Sequence, residues 1–332
     1  MPAEQTIVYD PHGMQQTLGV LFASGGEGEI YPLQGRPEVL VKWYHRQDLA
    51  KRGQQLQDKV QAMILLKDQF KHNRNLSWPL LSVFDENKKW VGYAMYKSEG
   101  IPMFKLAHAM LYARHFPGLD RQQIVSYLVN LIRQIMDLHK RGVMIGDYNL
   151  NNILCTPGID SITLIDCDSY QLRWQDTHYP CPVGSADMTP KEQQNQNFSS
   201  LVRTAESEAF SLAIILFKCL MLGRHPYDIV GGDDPVTNLN RGCFAYGLGN
   251  RGIPRGHWYN IWSHMPHRIK SLFIQTFTEG ANDPSKRVSP AEWLDALTLY
   301  QKEITKGWHE AAIKPDQPKN SEYRGCRDIE SA

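Results

Sequence analysis

The segment that most constrains this chain runs Met144-Ile145-Gly146-Asp147-Tyr148-Asn149-Leu150-Asn151-Asn152-Ile153-Leu154. It follows residues 120–140, whose apolar positions recur at helical spacing, and it leads into a short apolar run that predicts a strand. Asp147 and Asn152 lie five residues apart on this loop. A carboxylate placed in this way can accept the proton of an attacking hydroxyl, and an amide oxygen can bind a hard cation. The alternative is turn chemistry alone, because Asp and Asn are common turn formers.

A second candidate site is the run Leu164-Ile165-Asp166-Cys167-Asp168, in which Asp166 lies fourteen residues after Asn152. An apolar strand that ends in an aspartate is a common way to bring a carboxylate to a metal ion. The pattern therefore predicts that Asp166 chelates magnesium. Asp168 is either a second metal ligand or a turn residue.

A glycine-rich turn, Ser24-Gly25-Gly26-Glu27-Gly28, lies between two predicted strands. Dinucleotide-binding and Walker turns lead into a helix, so this position argues against both. Glycine lets backbone amides approach a polyphosphate closely, and a strand–turn–strand hairpin can cover it. The alternative is an ordinary hairpin turn. Lys42 ends the next apolar strand, where its ammonium either reaches phosphate oxygens or lies in solvent at the strand end.

The order of the predicted elements indicates an α+β chain with two lobes and a ligand cleft between them. Strands at 17–22, 29–33 and 39–43, a helix over 48–70 and a hairpin of strands 80–84 and 90–95 make the first third rich in sheet. Further helices are predicted over 120–140, 208–222, 269–278 and 290–299. We therefore expect an N-lobe over 1–97, a larger helical C-lobe over 98–310 and a loose polar tail over 311–332.

Composition excludes several classes of protein. The 36 basic and 35 acidic residues give a net charge of +1, so no general field favours nucleic acid or a membrane as a partner. The six cysteines form no CxxC pair, which argues against a zinc site or a disulfide framework and favours reduced thiols in a cytosol. No signal region and no apolar run of about 18 residues is present. We therefore expect a soluble, cytoplasmic protein.

Taken in order, these motifs resemble the protein kinase fold, and most closely a bacterial branch of eukaryotic-like Ser/Thr protein kinases. That branch has a GD-x-N-x-x-N-x-L loop, a strand ending in IDxDS-[FY]-Q, a TPxE segment and a G-x-HP-[FY] turn. The corresponding segments here are residues 146–154, 165–171, 189–192 and 223–227. The resemblance extends over about residues 16 to 300, and the collinear series is far more specific than any one motif.

The resemblance implies a bilobal protein-kinase-like fold and an ATP-dependent transfer of phosphate to protein Ser or Thr hydroxyls, with Mg²⁺ or alternatively Mn²⁺. It implies catalytic roles for Asp147 and Lys42, and metal ligation by Asn152 and Asp166. It also implies that nucleotide is bound by Gly25, Gly26, Gly28, Leu40, Lys42, Met95 and Leu154. Glu192 is implied to close the activation segment as the ion-pair partner of Arg287. Members of this branch are often encoded beside a PP2C-type phosphatase and a von Willebrand factor A-like protein, which are the implied partners besides a protein substrate.

The chain departs from the family pattern at four places. No glutamate lies within 43–70, where the first helix usually supplies the partner of Lys42. The alternatives for that lysine are Asp58, Asp68, Asp166 or phosphate alone. Gly146 replaces an arginine that reads a phosphorylated activation loop, Asn149 replaces a lysine that steadies the transferred phosphate, and residues 167–168 replace Phe-Gly.

These departures keep two other functions open. One is a pseudokinase that acts as a nucleotide-binding scaffold or regulator, which the missing glutamate and Asn149 favour. The other is a kinase for a small molecule. Residues 169–192 argue against the latter, because the segment is long enough to present a polypeptide.

Overall fold

A computed structural model of the chain describes residues 6–70, 73, 75–246, 252–253 and 256–319. The described chain divides into two compact units. The first covers residues 6–99 and also Thr163–Asp168, and the second covers 100–162 and 169–319. The first unit is therefore made from two stretches that are distant in sequence.

The first unit contains a long helix and, within residues 6–96 as described, one antiparallel sheet of seven strands. The sheet order is β2-β1-β6-β7-β5-β4-β3. The elements are β1 (Ile7–Tyr9), β2 (Gln15–Thr17), β3 (Ala23–Ser24), β4 (Gly28–Leu33), β5 (Arg36–Tyr44), α1 (Arg46–Leu66), β6 (Leu81–Phe84) and β7 (Trp90–Tyr96).

The central strand β5 separates two apolar layers, because successive side chains of a strand point to opposite faces. Val39 and Val41 pack on one face with residues of β1, β6 and β7. Leu40 and Tyr44 pack on the other face, together with Leu56 of α1 and other buried residues of that helix and of β7. The same alternation places Lys42 on the face that carries Leu40 and Tyr44.

The predicted helix and strands of this unit are confirmed in outline. The helix predicted over 48–70 is α1, continued by a 3-10 turn at Lys67–Gln69, and the predicted hairpin is formed by β6 and β7. The strand predicted over 17–22 is wrong, because Leu18 pairs only as an isolated bridge and pairing resumes at Ala23.

The second unit is mostly helical. Its helices are α2 (Met103–Leu106), α3 (Tyr112–His115), α4 (Arg121–Lys140), α5 (Ala205–Leu220), α6 (Pro235–Arg241), α7 (His257–His264), α8 (His267–Phe277), α9 (Glu279–Asn282) and α10 (Pro290–Thr305). Its strands are short: β8 (Ile101–Pro102), β9 (Val143–Met144), β10 (Ile153–Thr156), β11 (Ser161–Leu164, whose last two residues count with the first unit), β12 (Gln171–Trp174) and β13 (Thr177–Tyr179).

No helix in the described part of the chain combines the length and the apolar character needed to cross a membrane.

Side-chain caps fix where the main helices of this unit begin. Asp120, Thr204 and Ser289 form capping boxes at the starts of α4, α5 and α10. Each cap satisfies backbone N–H groups that the first turn of a helix cannot pair internally. The helices predicted over 120–140, 208–222, 269–278 and 290–299 are confirmed as α4, α5, α8 and α10.

The core of the second unit is centred on α5, where Phe217 is fully buried. Its ring packs edge-on or tilted against five aromatic rings, at centroid distances of 5.1 to 6.3 Å. Such pairs contribute beyond the burial of their area. The five rings are Phe244, Tyr246, Trp262, Phe273 and Phe277.

The predicted ion pair between Glu192 and Arg287 is present. Two guanidinium nitrogens of Arg287 donate to the two carboxylate oxygens of Glu192, each at 2.7 Å. The Nε of the same guanidinium donates to the carbonyl oxygen of Gly280. A two-pronged pair with a buried arginine fixes orientation as well as charge, so it joins residue 192 to the loop before α10.

Residues 311–319, the described part of the predicted tail, lie against the helical unit. Arg121 donates from its backbone N–H to the carbonyl oxygen of Ala311 and from its side chain to that of Ile313. Lys314 donates to the carbonyl oxygen of Ala109, and Ile313 is buried. Residues 320–332 lie outside the described part of the chain.

Replacement of Phe217 by alanine tests the aromatic core. We expect Phe217→Ala to lower the free energy of unfolding by about 3–5 kcal/mol, because it leaves a cavity among five rings. Urea unfolding followed by circular dichroism measures the change. Leu299→Ala on α10, at a side chain that is 42% exposed, is the control and should cost less than about 0.5 kcal/mol. Equal losses would show that Phe217 does not hold the core together.

Candidate active site

The glycine-rich segment forms a tight hairpin between β3 and β4. Ala23 pairs with Ile30, and the N–H of Gly25 donates to the carbonyl oxygen of Gly28 at 2.9 Å. A Cβ atom at Gly28 would lie 2.5 Å from the carbonyl oxygen of Trp43, so only glycine fits against β5 there. A Cβ at Gly26 would have no described atom within 4 Å. The turn thus exposes backbone on one side and packs closely on the other.

Lys42 is buried in the first unit, with 5% of its surface exposed. The alternative of a solvated lysine at a strand end is therefore wrong. Its Nζ donates to Oδ1 of Asp166 at 2.8 Å and to Oδ2 of Asp168 at 2.7 Å, and a carboxylate oxygen of Glu27 lies 3.7 Å away. Burial alone would lower the pKa of Lys42, but these three carboxylates outweigh burial and raise its pKa above the ordinary value.

Asp168 is the most buried of the three carboxylates, with 2% of its side chain exposed. Besides the bond from Lys42, it accepts hydrogen bonds from the hydroxyls of Tyr44 at 2.5 Å and Tyr93 at 2.7 Å. Burial opposes its ionisation, but the charge of Lys42 and these hydrogen bonds lower the pKa of Asp168 to about 2. Asp168 is therefore neither an exposed turn residue nor a carboxylate free to turn outward.

Asp166 differs from Asp168 in exposure and in backbone conformation. About 40% of its side chain is exposed. Its φ of 59° lies in the left-handed region, which is uncommon for a residue other than glycine and is often found at functional sites. The preceding segment is fixed by hydrogen bonds between Leu164 and the backbone of Asn75 and Ser77. The structure thus brings Lys42 and Asp166 together and leaves an accessible carboxylate beside a buried ammonium.

Glu27, at the tip of the glycine hairpin, also contacts α1. Its carboxylate accepts a hydrogen bond of 2.5 Å from Arg52, which is also bonded to Asp48 of the same helix. Arg52 has non-helical backbone angles inside α1, where the helix is kinked. The hairpin is therefore joined by charge both to Lys42 and to the helix.

The loop that carries Asp147 is held in the second unit by a buried carboxylate. Glu208 on α5 accepts hydrogen bonds from the backbone N–H groups of Ile145 and Gly146 at 2.9 and 2.8 Å, and from the hydroxyl of Tyr148 at 2.9 Å. A carboxylate that satisfies two backbone N–H groups fixes the path of the chain at that point. Glu208 thereby determines the conformation of the loop directly before Asp147.

Asn152 ends the 3-10 turn Leu150–Asn152 in this loop, and Asp147 lies three residues before that turn. The N–H of Asp147 donates to the carbonyl oxygen of Ile145 at 2.9 Å. Asn149 caps the 3-10 turn Leu150–Asn152, and its side chain accepts from the backbone N–H of Asn151 at 2.9 Å. Turn chemistry is thus part of the loop, through Asn149. The roles predicted for Asp147 and Asn152 stay predictions.

Gly146 occupies the position where the kinase resemblance implies an arginine. Its φ is 73°, and a Cβ there would lie 2.5 Å from Cβ and 2.7 Å from Sγ of Cys181. Arg203, which is buried, lies on the same side and donates to the side chain of Gln193. The position has no room for a side chain, so an arginine could not be accommodated without moving residue 181.

Three predicted nucleotide-binding residues are buried apolar side chains. Leu40 and Met95 are cross-strand partners of β5 and β7 and pack with residues of α1. Leu154 lies in β10, paired with Pro102, and is also buried. Packing within each unit accounts for their burial, so their contact with adenine stays a prediction.

Sequence reasoning missed four groups that shape these sites: Glu27, Tyr44, Tyr93 and the pairing of Asp168 with Lys42. One signal for the tyrosines was present. Tyr44 is two residues after Lys42 and therefore on the same face of β5, although nothing in the sequence shows that Tyr93 is the cross-strand partner of Lys42. Of the alternatives considered for Lys42, Asp166 is a partner, whereas Asp58 accepts from Gln54.

The residues of the first unit fit a polyphosphate and a divalent cation. Carboxylate oxygens are ligands that magnesium prefers, and Asp166 supplies one that is 40% exposed. The open backbone at Gly26 and the ammonium of Lys42 are groups that bind polyphosphate.

The fold is that of protein kinases, with a β-rich N-terminal unit and a larger helical unit. The chain resembles the crystal structure of a rhoptry kinase from Toxoplasma gondii with a TM-score of 0.62. The match covers 92% of this chain and 84% of that one at 12% sequence identity, so it shows the fold alone. The α+β fold class predicted from the sequence is confirmed.

By sequence, the chain is similar to the protein kinase YegI of Escherichia coli. It is 28% identical over 310 residues to the proteins of strains K12 and O157:H7. The match covers 90% of this chain and 47% of the relatives, so the chain spans about half the length of the curated relatives it matches. No protein-family model matches the chain.

Alanine at Gly146 tests how closely Cys181 packs against the loop. Gly142 is the matched control, because its φ is 71° but a Cβ there would meet no described atom within 4 Å. We expect Gly142→Ala to cost about 1–2 kcal/mol through backbone strain alone. Gly146→Ala should cost about 1–3 kcal/mol more because of the clash with residue 181. Urea unfolding of both variants measures the difference, and equal costs would contradict the close packing.

Proposed function

We propose that this protein is an ATP- and Mg²⁺-dependent protein Ser/Thr kinase that transfers the γ-phosphate to a protein hydroxyl. The observation that carries the proposal is the buried ammonium of Lys42 beside the accessible carboxylate of Asp166. The kinase fold and the similarity to a named bacterial protein kinase support it. The relatives are about twice as long as this chain, so kinase activity is proposed for this chain and is not inferred from their names alone.

In this proposal Lys42 binds phosphate oxygens, and the backbone of the hairpin at residues 25–28 covers them. Transfer of a phosphoryl group depends mainly on positioning and on the neutralisation of charge. Burial fixes the position of the Lys42 ammonium, and Glu27 and the two aspartates keep it protonated. The positive charge is thus in place before the nucleotide binds.

Asp147 orients the incoming hydroxyl and accepts its proton. The rigidity of its loop matters because a displacement of about 1 Å in a reacting group can cost about two orders of magnitude in rate. Glu208 supplies that rigidity by binding the two N–H groups directly before Asp147. Asp166 and Asn152 are the ligands that the resemblance implies for Mg²⁺, which when bound neutralises charge on the phosphates.

A pseudokinase is the second candidate. The specific observation in its favour is that the side chain of Asn149 caps the turn and carries no positive charge that could contact the transferred phosphate. Against it, Lys42 and Asp166 are paired in the first unit although α1 has no glutamate. A protein substrate, the PP2C-type phosphatase and the von Willebrand factor A-like partner stay predictions.

Replacement of Asp147 separates the two candidates. We expect wild-type protein to incorporate labelled phosphate from γ-labelled ATP with Mg²⁺, and Asp147→Ala to reduce incorporation by about three orders of magnitude, because the general base is lost. Nucleotide affinity, measured by calorimetry, should change little. Asp176→Asn removes an exposed carboxylate of the same unit and is the control. Normal incorporation by the Asp147 variant would show that the role assigned to it is wrong, and none by wild type would favour a pseudokinase.

Replacement of Asp166 tests the metal assignment. Wild-type protein should bind ATP more tightly with Mg²⁺ than in EDTA, and Asp166→Ala should lose most of that difference, because it removes a carboxylate ligand. Calorimetric titrations with and without metal measure the effect, and circular dichroism checks that the variant is folded. An unchanged metal dependence would place the metal elsewhere.

A further inference from the structure

We propose that Asp168 is the residue that positions Lys42, in the role for which the kinase resemblance implies a glutamate on α1; the reaction in which it acts is that of the proposed function. The fold of the first unit keeps the lysine–carboxylate pair but takes the carboxylate from a different part of the chain. That part is the segment that also carries Asp166.

Helix α1 contributes no carboxylate to Lys42. The helix contains two acidic residues, Asp48 and Asp58. Asp48 is bonded to Arg52, and Asp58 accepts from the side chain of Gln54 at 2.8 Å. Among the described residues, the carboxylates within 4 Å of the Lys42 ammonium are those of Glu27, Asp166 and Asp168.

Of these three carboxylates, that of Asp168 is held most firmly. Its Oδ2 accepts from Lys42 and from the hydroxyl of Tyr44, and its Oδ1 accepts from the hydroxyl of Tyr93. Three donors from β5 and β7 therefore fix both oxygens in a buried place, and charge-assisted hydrogen bonds are the stronger kind. Asp166 accepts from Lys42 at 2.8 Å but is 40% exposed, and Glu27 is 3.7 Å from the ammonium and accepts from Arg52, so Asp168 is the buried partner with the most donors.

The register of the sheet explains why these donors meet. Lys42 and Tyr93 are directly opposite each other on β5 and β7, and Tyr44 follows Lys42 by two residues on the same face. Nζ of Lys42 also lies 5.2 Å from the centre of the Tyr44 ring. The hydroxyls of the two tyrosines and the ammonium of Lys42 thus all donate to the carboxylate of Asp168.

In this arrangement two aspartates that are two residues apart have different roles. Asp168 is buried and positions Lys42, whereas the carboxylate of Asp166, which Lys42 contacts through one oxygen, is 40% exposed and is the predicted cation ligand. The position of the lysine then depends on the sheet and on residues 166–168 and does not require a carboxylate from α1. Lys42 therefore still has a buried carboxylate partner, but that partner is Asp168 and not a glutamate of α1.

A double-mutant cycle measures the pair without relying on activity. The four proteins are wild type, Lys42→Met, Asp168→Asn and the double variant, and the readout is the urea midpoint. We expect Asp168→Asn to lower the midpoint of wild type but to raise that of Lys42→Met, because there it neutralises a buried carboxylate that has lost its ammonium. A fall of equal size in both backgrounds would overturn the pairing and leave Asp168 a packing residue.

Steady-state kinetics test the positioning role in the active protein. Asp168→Asn should lower kcat about 100-fold while changing the KM for ATP less than about threefold, because the ammonium stays near the phosphates but loses its orientation. Tyr44→Phe and Tyr93→Phe, which each remove one donor to the aspartate, should lower kcat by about three- to tenfold. Asp58→Asn, the matched control on α1, should stay within about twofold of wild type.

The two experiments separate this inference from the proposed function. A wild-type protein that transfers no phosphate refutes the kinase proposal, and the urea cycle still decides whether Asp168 and Lys42 are coupled. A wild-type protein that is active while Asp168→Asn keeps its full kcat refutes the positioning role alone. A large loss of kcat in Asp58→Asn would show that a carboxylate of α1, and not Asp168, positions Lys42.

Discussion

The burial of one ammonium group is the constraint on which the first unit depends. An unpaired buried charge costs several kcal/mol or more, so Lys42 can occupy its place only if carboxylates come to it. They come from the glycine hairpin, as Glu27, and from residues 166–168, as two aspartates. Electrostatics therefore ties together a turn, a central strand and a segment more than 120 residues away in sequence.

In the second unit, a buried carboxylate fixes the conformation of the backbone in a comparable way. Glu208 has 2% of its side chain exposed, and its carboxylate contacts backbone N–H groups, a tyrosine hydroxyl and the ring of His139 instead of a lysine. In both units the aspartate that is predicted to act is more accessible than the buried carboxylate near it. Asp168 is bonded to Lys42, which also contacts the more exposed Asp166, and Glu208 binds the loop directly before Asp147. The buried partner in each case is shielded from competing water, which strengthens its hydrogen bonds.

Much of the fold could be predicted, because its long elements have a strong period. Apolar residues at helical spacing identified α1 and α4, a nearly continuous apolar run indicated α5, and the chain itself supplies caps such as Asp120. Strands of two or three residues, such as β1, β8 and β9, were not predicted. So short a run carries no detectable alternation, and pairing with distant partners is what makes it a strand. Helix α7, which has eight residues, was also not predicted.

The sequence by itself determined which residues are candidates for the chemistry: the acid and amide of residues 147 and 152, the aspartate after a strand, the glycine turn and Lys42. Their types and order are local properties that can be read along the chain. Only the tertiary structure decided which acid stabilises which base. That Asp168, and not a residue of α1, lies against Lys42 follows from strand register and from the buried hydroxyls of Tyr44 and Tyr93. Pairing of buried charges depends on distances of 3 to 4 Å between distant parts of the chain, and such distances are set only when the chain packs.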